Sequence, residues 1–367
     1  MYVKEIQLIN FRNYKNLNIK LSKNINVFVG NNAQGKTNIL ESLYYCGLSK
    51  SHRTNKDREL IRWGEKEAYI KAYVAKQRLD KKIELKIFDK GKKGININSI
   101  KITKLADFIG TLNIVIFSPE DLAIVKGSPI NRRRFIDIEL CKLSKKYFYN
   151  LVQYKKVLNE RNSAIKKINK SKLNSEILDI YDKQLVYFGS EIIQKRLKYI
   201  KNLNSIGNCI HEEITSGKEN ILFRYITAIK NFDDIENNLL ELLLKNRKKD
   251  IDNNVTSIGP HRDDFLIEIN GIDTRVFGSQ GQQRTAVLTI KFASLELIKK
   301  ITNDYPVLLL DDVLSELDID RQKYVLNSIK NVQTLITCTG IVEIKKHLND
   351  TSKLFNVENG TITEMEY

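Results

Sequence analysis

Gly30-Asn31-Asn32-Ala33-Gln34-Gly35-Lys36-Thr37 fits the pattern G-x-x-x-x-G-K-[ST] at every fixed position. Ile25-Asn26-Val27-Phe28-Val29 before it reads as a buried strand that stops at Gly30. Residues 37–46 after it have a helical pattern, with Ile39, Leu40, Leu43 and Tyr44 on one face and Gly47 as a stop. A strand, a glycine loop and a helix in this order make a phosphate cradle. The glycines let the backbone N–H groups of Asn31, Asn32, Ala33 and Gln34 turn toward phosphate oxygens, and the helix N-terminus adds its positive end. Lys36 is placed to reach the β- and γ-phosphates, and the Thr37 hydroxyl to ligate Mg²⁺. A chance glycine turn with a lysine would lack both flanks.

Such a loop needs an acidic partner. Val307-Leu308-Leu309-Leu310-Asp311-Asp312 supplies four apolar residues of a buried parallel strand ending in two carboxylates. Asp311 is expected to hold Mg²⁺ directly or through water, and Asp312 to polarise the attacking water as general base. Acidic turns after strands are common, so this segment gains its meaning from the loop. Together they point to an α/β nucleotide-binding fold.

Outward from these two motifs the chain changes character twice. Val3, Ile6 and Leu8, then Leu17, Ile19 and Leu21, alternate like strand residues, and 68–103 alternates again. From Asn131 to about Lys201 the pattern is helical and lysine-rich; residues 141–175 hold ten lysines and arginines and one acid, Glu160. A strand-like piece, Ile221 to Tyr225, and a helical stretch, Asp233 to Lys249, follow, and α/β character returns after Gly259-Pro260. The expected organisation is a head of residues 1–125 and 255–367 with an inserted helical arm at 126–254.

Composition excludes several classes. Of 367 residues, 42% are hydrophobic and 29% charged, a globular balance. No apolar run is long enough to span a membrane, and the charged N-terminus does not read as a signal peptide. Cys46, Cys141, Cys209 and Cys338 are scattered, which argues against a disulfide framework or zinc ribbon and fits a reducing cytoplasm. Lysine plus arginine number 61 against 44 acids, a formal net charge of +17, so a polyanionic partner is expected, nucleic acid first. Trp63, beside Gly64, is expected to pack in the core.

Phe277-Gly278-Ser279-Gln280-Gly281-Gln282-Gln283-Arg284 precedes an amphipathic helix and resembles the L-S-G-G-Q signature of ABC-type ATPases. Ser279, Gly281 and Gln282 match; Gly278 and Gln280 replace the leading Leu and the first Gly. Ser315-Glu316-Leu317-Asp318 is similar to the D-loop of the same superfamily. Five further blocks narrow the resemblance: Phe11-Arg12-Asn13-Tyr14, Ser51-His52-Arg53-Thr54, Ser118-Pro119-Glu120-Asp121-Leu122, Lys126-Gly127-Ser128-Pro129 with Arg132-Arg133-Arg134-Phe135, and Gly259-Pro260-His261-Arg262-Asp263-Asp264. In this order, spanning nearly the whole chain, they resemble the RecF family of bacterial recombination mediators.

That resemblance implies an ABC-type head of mixed sheets, similar to SMC heads but without a long coiled coil. It implies a homodimer closed by ATP and Mg²⁺, in which Ser279, Gly281 and Gln282 complete the partner's site. It also implies DNA as ligand, at single-strand gaps and junctions with duplex, RecR and RecO as partners, and roles in repair, replication, recombination and the SOS response. Arg12 is expected to contact ATP, as similar arginines do in SMC-like heads. Two departures stand out: Asp312 is one methylene shorter than the usual catalytic Glu, and Leu335-Ile336-Thr337-Cys338-Thr339 lacks the switch His. Both predict slow hydrolysis that serves as a switch.

Arg132, Arg133 and Arg134 are candidate phosphate contacts, although helical spacing lets at most two share a face. Tyr147, Phe148, Tyr149 and Tyr154 offer stacking surfaces, with core packing as the default. His52 and His261, each with a basic neighbour, read as hydrogen-bonded structural residues or phosphate contacts. The rival functions are an ABC-type subunit of a non-DNA assembly and a DNA scaffold that binds ATP without hydrolysing it.

Overall fold

A computed structural model of the chain describes residues 1–170, 174–345, 348 and 350–366. Two compact units emerge: Met1–Asp121 with Lys291–Tyr367, and Leu122–Ile290.

The first unit holds two six-stranded sheets. In one, the strand order is Thr361–Met365, Lys353–Glu358, Ile25–Val29, Thr334–Cys338, Val307–Asp311, Ile114–Phe117, all neighbours parallel except the first pair. Ile114–Phe117, Val307–Asp311 and Thr334–Cys338 are buried along their whole length, so both faces of these strands are covered. Register puts Leu310 beside Phe117, Asp311 beside Thr337, and Cys338 beside Val29. The carboxyl ends of four strands therefore finish at one edge, the place where open parallel sheets bind ligands.

The other sheet is antiparallel and runs from Tyr14–Lys20 through Tyr2–Phe11, Glu67–Ala75, Lys81–Phe88 and Lys93–Ile97 to Ile100–Lys101. Alternate residues of Glu67–Ala75 and Lys81–Phe88 are buried, so one face is wetter than the other, as the period of two dictates.

Two expectations in this unit fail. Gly47 does not stop the first helix, which runs Lys36–Leu48 and is capped by Ser49 in the left-handed region at φ 52°. The glycine is needed for close approach: a Cβ there would lie 2.9 Å from the Leu112 carbonyl oxygen. Trp63 is not core; it is 96% exposed in the turn before Glu67–Ala75.

The second unit is helical, with Pro129–Leu143, Lys145–Asn169, Leu178–Thr215 and Ile235–Asn253, plus an antiparallel sheet of Ile221–Ile226, Asp264–Ile269 and Ile272–Asp273. The arm expected from the sequence ends at residue 254. The unit instead extends to Ile290, taking in the Gly259–Asp264 block, the sheet and the start of helix Gln280–Thr302. Its interior carries Arg161, fully buried, which donates to Asp182 (2.6 Å), Asp250 (2.8 Å) and Thr256 (2.8 Å). One guanidinium thus joins three helices and the loop leading to Gly259. Tyr147 and Tyr154 are core, as their default reading held. Residues 171–173 of the lysine-rich stretch lie outside the described residues. Among the described residues no helix is long and apolar enough to cross a membrane.

Candidate nucleotide site

The loop from Gly30 to Thr37 leaves strand Ile25–Val29 at the common carboxyl edge and enters helix Lys36–Leu48. Both of its glycines are obligatory. A Cβ at Gly30 would sit 2.2 Å from the Val357 carbonyl oxygen, and Gly35, the N-cap, has φ 114° with the Asn13 amide 2.4 Å from where its Cβ would be. The turn at Phe11-Arg12-Asn13-Tyr14 clamps the loop from outside. Asn13 donates to the Gln34 carbonyl (2.8 Å) and accepts from Asn38 (2.8 Å), while Tyr14 donates to the Gly35 carbonyl (3.1 Å). Lys36 curls back over the loop and donates to the carbonyls of Gly30 and Asn31.

Thr37 and Asp311, 274 positions apart, meet: the hydroxyl donates to Asp311 Oδ1 at 2.8 Å. Thr337, on the strand between them, donates to the same oxygen at 2.8 Å and accepts from the Asp312 N–H at 3.0 Å. Burial pushes the Asp311 carboxyl above its usual range, and the two threonine hydroxyls oppose that shift. A buried carboxylate of this kind gains by taking a cation. Among the described residues no group of three or more His, Cys, Asp or Glu side chains is placed to hold a metal. One carboxylate and one hydroxyl beside a phosphate cradle suit Mg²⁺, which is held by few protein oxygens plus phosphates.

Asp312 has φ 54°, and Arg12 and Ala33 likewise lie in the left-handed region at 54° and 65°. Non-glycine residues held there are strained, and these three cluster on the loop, its clamp and the acidic pair. The Ser315 hydroxyl donates to the Asp312 carbonyl at 2.7 Å. His52 is turned edge-on to Tyr44, and its two ring nitrogens are buried without a hydrogen-bond partner. Burial lowers its basicity; Glu41, Asp311 and Glu120 act on it in the opposite sense. The Ser118-Pro119-Glu120-Asp121 block turns on itself: the Ser118 N–H donates to Asp121 (2.8 Å), and Lys291 donates to Asp121 (2.6 Å) and to the Ile116 carbonyl (2.7 Å).

Arg12 is engaged within the chain. Its guanidinium forms a fork on Glu41, with Nε and Nη2 at 2.8 and 2.7 Å, and a third bond to the Glu59 carbonyl. Glu41 is fully buried and also accepts from Ser51, with Arg53 at 3.7 Å. Burial alone would raise this carboxyl, but the bonds from Arg12 and Ser51 and the arginine charges outweigh it and hold it below the usual range. Glu41 gathers two arginines beside the loop. Sequence reasoning missed Glu41, Asn13 and Thr337. The available signal for Glu41 was that it is the one acid of helix Lys36–Leu48, set among Ile39, Leu40 and Leu43, and a buried acid must be paired.

Ser279, Gly281 and Gln282 belong to the second unit. Ser279 and Gln282 form a reciprocal capping box at the start of helix Gln280–Thr302: the Ser279 N–H donates to the Gln282 side chain (2.9 Å) and the Gln282 N–H to Ser279 Oγ (3.2 Å). Gln282 also donates to Glu219 at 2.9 Å, and Gly281 offers its carbonyl to Thr285 at 2.8 Å. Ser279 itself is exposed.

The three arginines divide. Arg132 is 2% exposed and grips Asp264 through both arms at 2.7 and 2.8 Å, so its expected DNA contact is corrected: its donors are spent inside the fold. Arg133 donates to the Asp263 carbonyl at 2.7 Å and is half-buried. Arg134 alone is exposed.

His261 is structural. It accepts from the Tyr154 hydroxyl (2.7 Å) and donates to the Thr256 carbonyl (3.0 Å), a tautomer set by those partners. Burial, helped by the charges of Arg262 and Arg133, pushes it down to about 4 from 6.5. The unfolded chain takes up this proton near 6.5 and the folded chain only near 4, so stability falls as pH drops through that window. Thermal midpoints followed across it should show a shallower slope for His261→Gln than for the wild type. Equal slopes would exclude His261 as a source.

Comparison with known proteins adds independent findings. The sequence model of the RecF/RecN/SMC N terminal domain matches residues 2–363. The chain is 62% identical over 364 residues to the DNA replication and repair protein RecF of Clostridium novyi (strain NT), covering 99% of this chain and 100% of that one. It is 63% identical over 368 residues to the protein of the same name from Clostridium tetani (strain Massachusetts / E88), again covering 99% and 100%. A solved structure of the recombination mediator protein RecF-ATP in the RecFOR pathway superposes with a TM-score of 0.92 at 35% identity, covering 100% of this chain and 98% of that one. An Smc head bound to the C-winged helix domain of ScpA superposes with a TM-score of 0.59 at 17% identity, covering 100% and 97%, which is a likeness of fold alone.

Proposed function

Because this chain belongs to the RecF family of DNA replication and repair proteins, we propose that it is an ATP-controlled recombination mediator that grips DNA as a homodimer. The observation that carries the nucleotide part is the meeting of Thr37 with Asp311 at the carboxyl edge of the parallel sheet, beside the Gly30–Thr37 cradle. The loop amides of Asn31 to Gln34 and the ammonium of Lys36 receive phosphates, and Lys36 exchanges two carbonyl partners for phosphate oxygens. Thr37 and Asp311 hold Mg²⁺, which supplies neutralisation of phosphate charge. Asp312 takes the proton of the attacking water, and Thr337 holds both acids in register. Arg12 leaves or shares Glu41 to meet the nucleotide. Ser279, Gly281 and Gln282 serve the second copy's nucleotide in trans.

The shortened base and the missing switch His make hydrolysis slow, so ATP acts as a switch on the DNA grip. In this reading the head is built from both chain ends and the arm from the middle. The preferred DNA carries gaps or single-strand/duplex junctions, the partners include RecR and RecO, and the setting is the cytoplasm. The likeness to a structure of RecF-ATP in the RecFOR pathway supports this reading.

The test is fluorescence anisotropy of a labelled gapped duplex, titrated with protein with and without Mg–ATP. Binding should tighten with ATP; equal binding in both states would break the link between nucleotide and DNA. In the same assay Asp312→Asn should keep ATP-dependent binding and slow its reversal, with a stable dimer seen by light scattering. A variant that stays monomeric with ATP would refute closure around nucleotide.

A further inference from the structure

On helix Lys145–Asn169, the residues Lys145, Tyr149, Val152, Lys156, Glu160, Ser163 and Lys167 follow one another at spacings of three and four, so they form a single stripe. Every one of the seven is exposed, with Tyr149 at 54% and Val152 at 46%. The opposite face carries Tyr147, Leu151, Tyr154, Val157 and Ile165 into the core. The stripe is therefore not the packing side of the helix. It alternates lysines with an aromatic and an aliphatic surface, and Glu160 is its one acid.

The neighbouring helix Leu178–Thr215 continues the pattern. Tyr187 is 62% exposed, and Lys183 stands one turn before it. Phe188 fixes both tyrosines edge-on, with ring centroids 6.3 Å from Tyr149 at 72° and 5.1 Å from Tyr187 at 76°. A groove of about 420 Å³ runs beside them, its lining including Gln153, Lys156, Glu160, Lys183, Tyr187 and Phe188. Rigid aromatic surfaces, ammonium groups on either side and an open groove thus lie on one face of this unit.

The chemistry of the occupant follows from what is interleaved. Protein–protein interfaces are depleted of lysine at their cores, whereas here Lys145, Lys156 and Lys183 flank the two exposed tyrosines. A polyanion suits the lysines, but a duplex hides its base faces within the stack. A single strand offers both phosphates and free base faces, and stacking on aromatics tolerates any sequence. We propose that this face is a binding site for single-stranded DNA, with bases stacked on Tyr149 and Tyr187 and phosphates on Lys145, Lys156, Lys167 and Lys183. The proposal rests on the DNA-binding reading above and adds the place where the unpaired strand of a gap or junction would lie.

The full-length protein with Mg–ATP is titrated against labelled oligo(dT) and, separately, against labelled blunt duplex. The double variant Tyr149→Ala/Tyr187→Ala should lose about 10-fold or more in oligo(dT) affinity, keep its ATP-dependent duplex binding, and melt like the wild type because both rings are at the surface. The pair Tyr149→Phe/Tyr187→Phe keeps the stacking surface and should bind oligo(dT) like the wild type. Unchanged oligo(dT) affinity in the alanine variant overturns the site and leaves the face to a protein partner. A wild type that binds duplex with ATP but ignores oligo(dT) overturns it equally. A wild type that binds neither DNA sinks the functional reading itself, which separates the two failures.

Discussion

Replacing Lys36 with alanine is expected to weaken Mg–ATP binding by about 100-fold or more, since hydrogen bonds to charged groups are worth roughly 1.5–3 kcal/mol each. Lys36 is the cation within the loop, and its ammonium already lies across the mouth on the carbonyls of Gly30 and Asn31. Without it, the phosphates would meet only backbone amides and the helix end. Titration calorimetry should record the loss, and the rise in thermal midpoint that ATP gives the wild type should vanish. ATP-dependent DNA binding should disappear with it. Lys36→Arg should not restore the function, because a planar fork does not replace a point charge in a closely fitted loop. Wild-type affinity in the alanine variant would remove Lys36 from the phosphate site.

Arg161→Ala is expected to cost the helical unit about 3–5 kcal/mol, the usual effect of removing one partner of a buried ion pair. Asp182 keeps Arg247 at 2.6 Å, and Asp250 keeps the N–H and hydroxyl of Ser257 at 2.9 and 2.6 Å. Both carboxylates nonetheless lose a buried cation, and Asp250 is fully buried. Denaturant unfolding should show the shift in the transition that reports helix content. Adding Asp250→Asn to the variant should recover part of the loss, because the orphaned charge is then gone. A variant as stable as the wild type would show that water replaces the guanidinium without penalty.

The meeting of Thr37 with Asp311 was legible because phosphate-loop chemistry demands fixed residue types at fixed spacing: Gly35, Lys36 and Thr37 in one block, Asp311 at the end of an apolar strand. What the sequence concealed is long-range. Arg132 reads as a surface arginine until its partner appears at Asp264, 132 positions away. Thr337 looks like an ordinary strand residue, and only the register beside Asp311 makes it the brace of both acids. Gly47 carried a true signal with two meanings, a helix stop or a close approach, and local pattern cannot choose between them. Trp63 followed the general habit of tryptophan, which a polar turn overrode. The capping box of Ser279 and Gln282 was written in the sequence as S-x-x-Q but was masked by its likeness to a signature motif.

The parallel sheet also has a consequence for how the molecule is made. Strand Ile25–Val29 bonds on both sides to strands from the far end of the chain, Thr334–Cys338 and Lys353–Glu358. Val3 likewise waits for Gln333, 330 positions later. A ribosome emits the Gly30–Thr37 loop early, yet the strand before it has both edges bare until residues 334–356 have followed. A chain that lacks those two strands would present Ile25–Val29 with two bare edges, the kind of surface that invites mispairing and proteolysis. The segment that leads into the Gly30–Thr37 loop is thus completed only by residues 334–338 and 353–356.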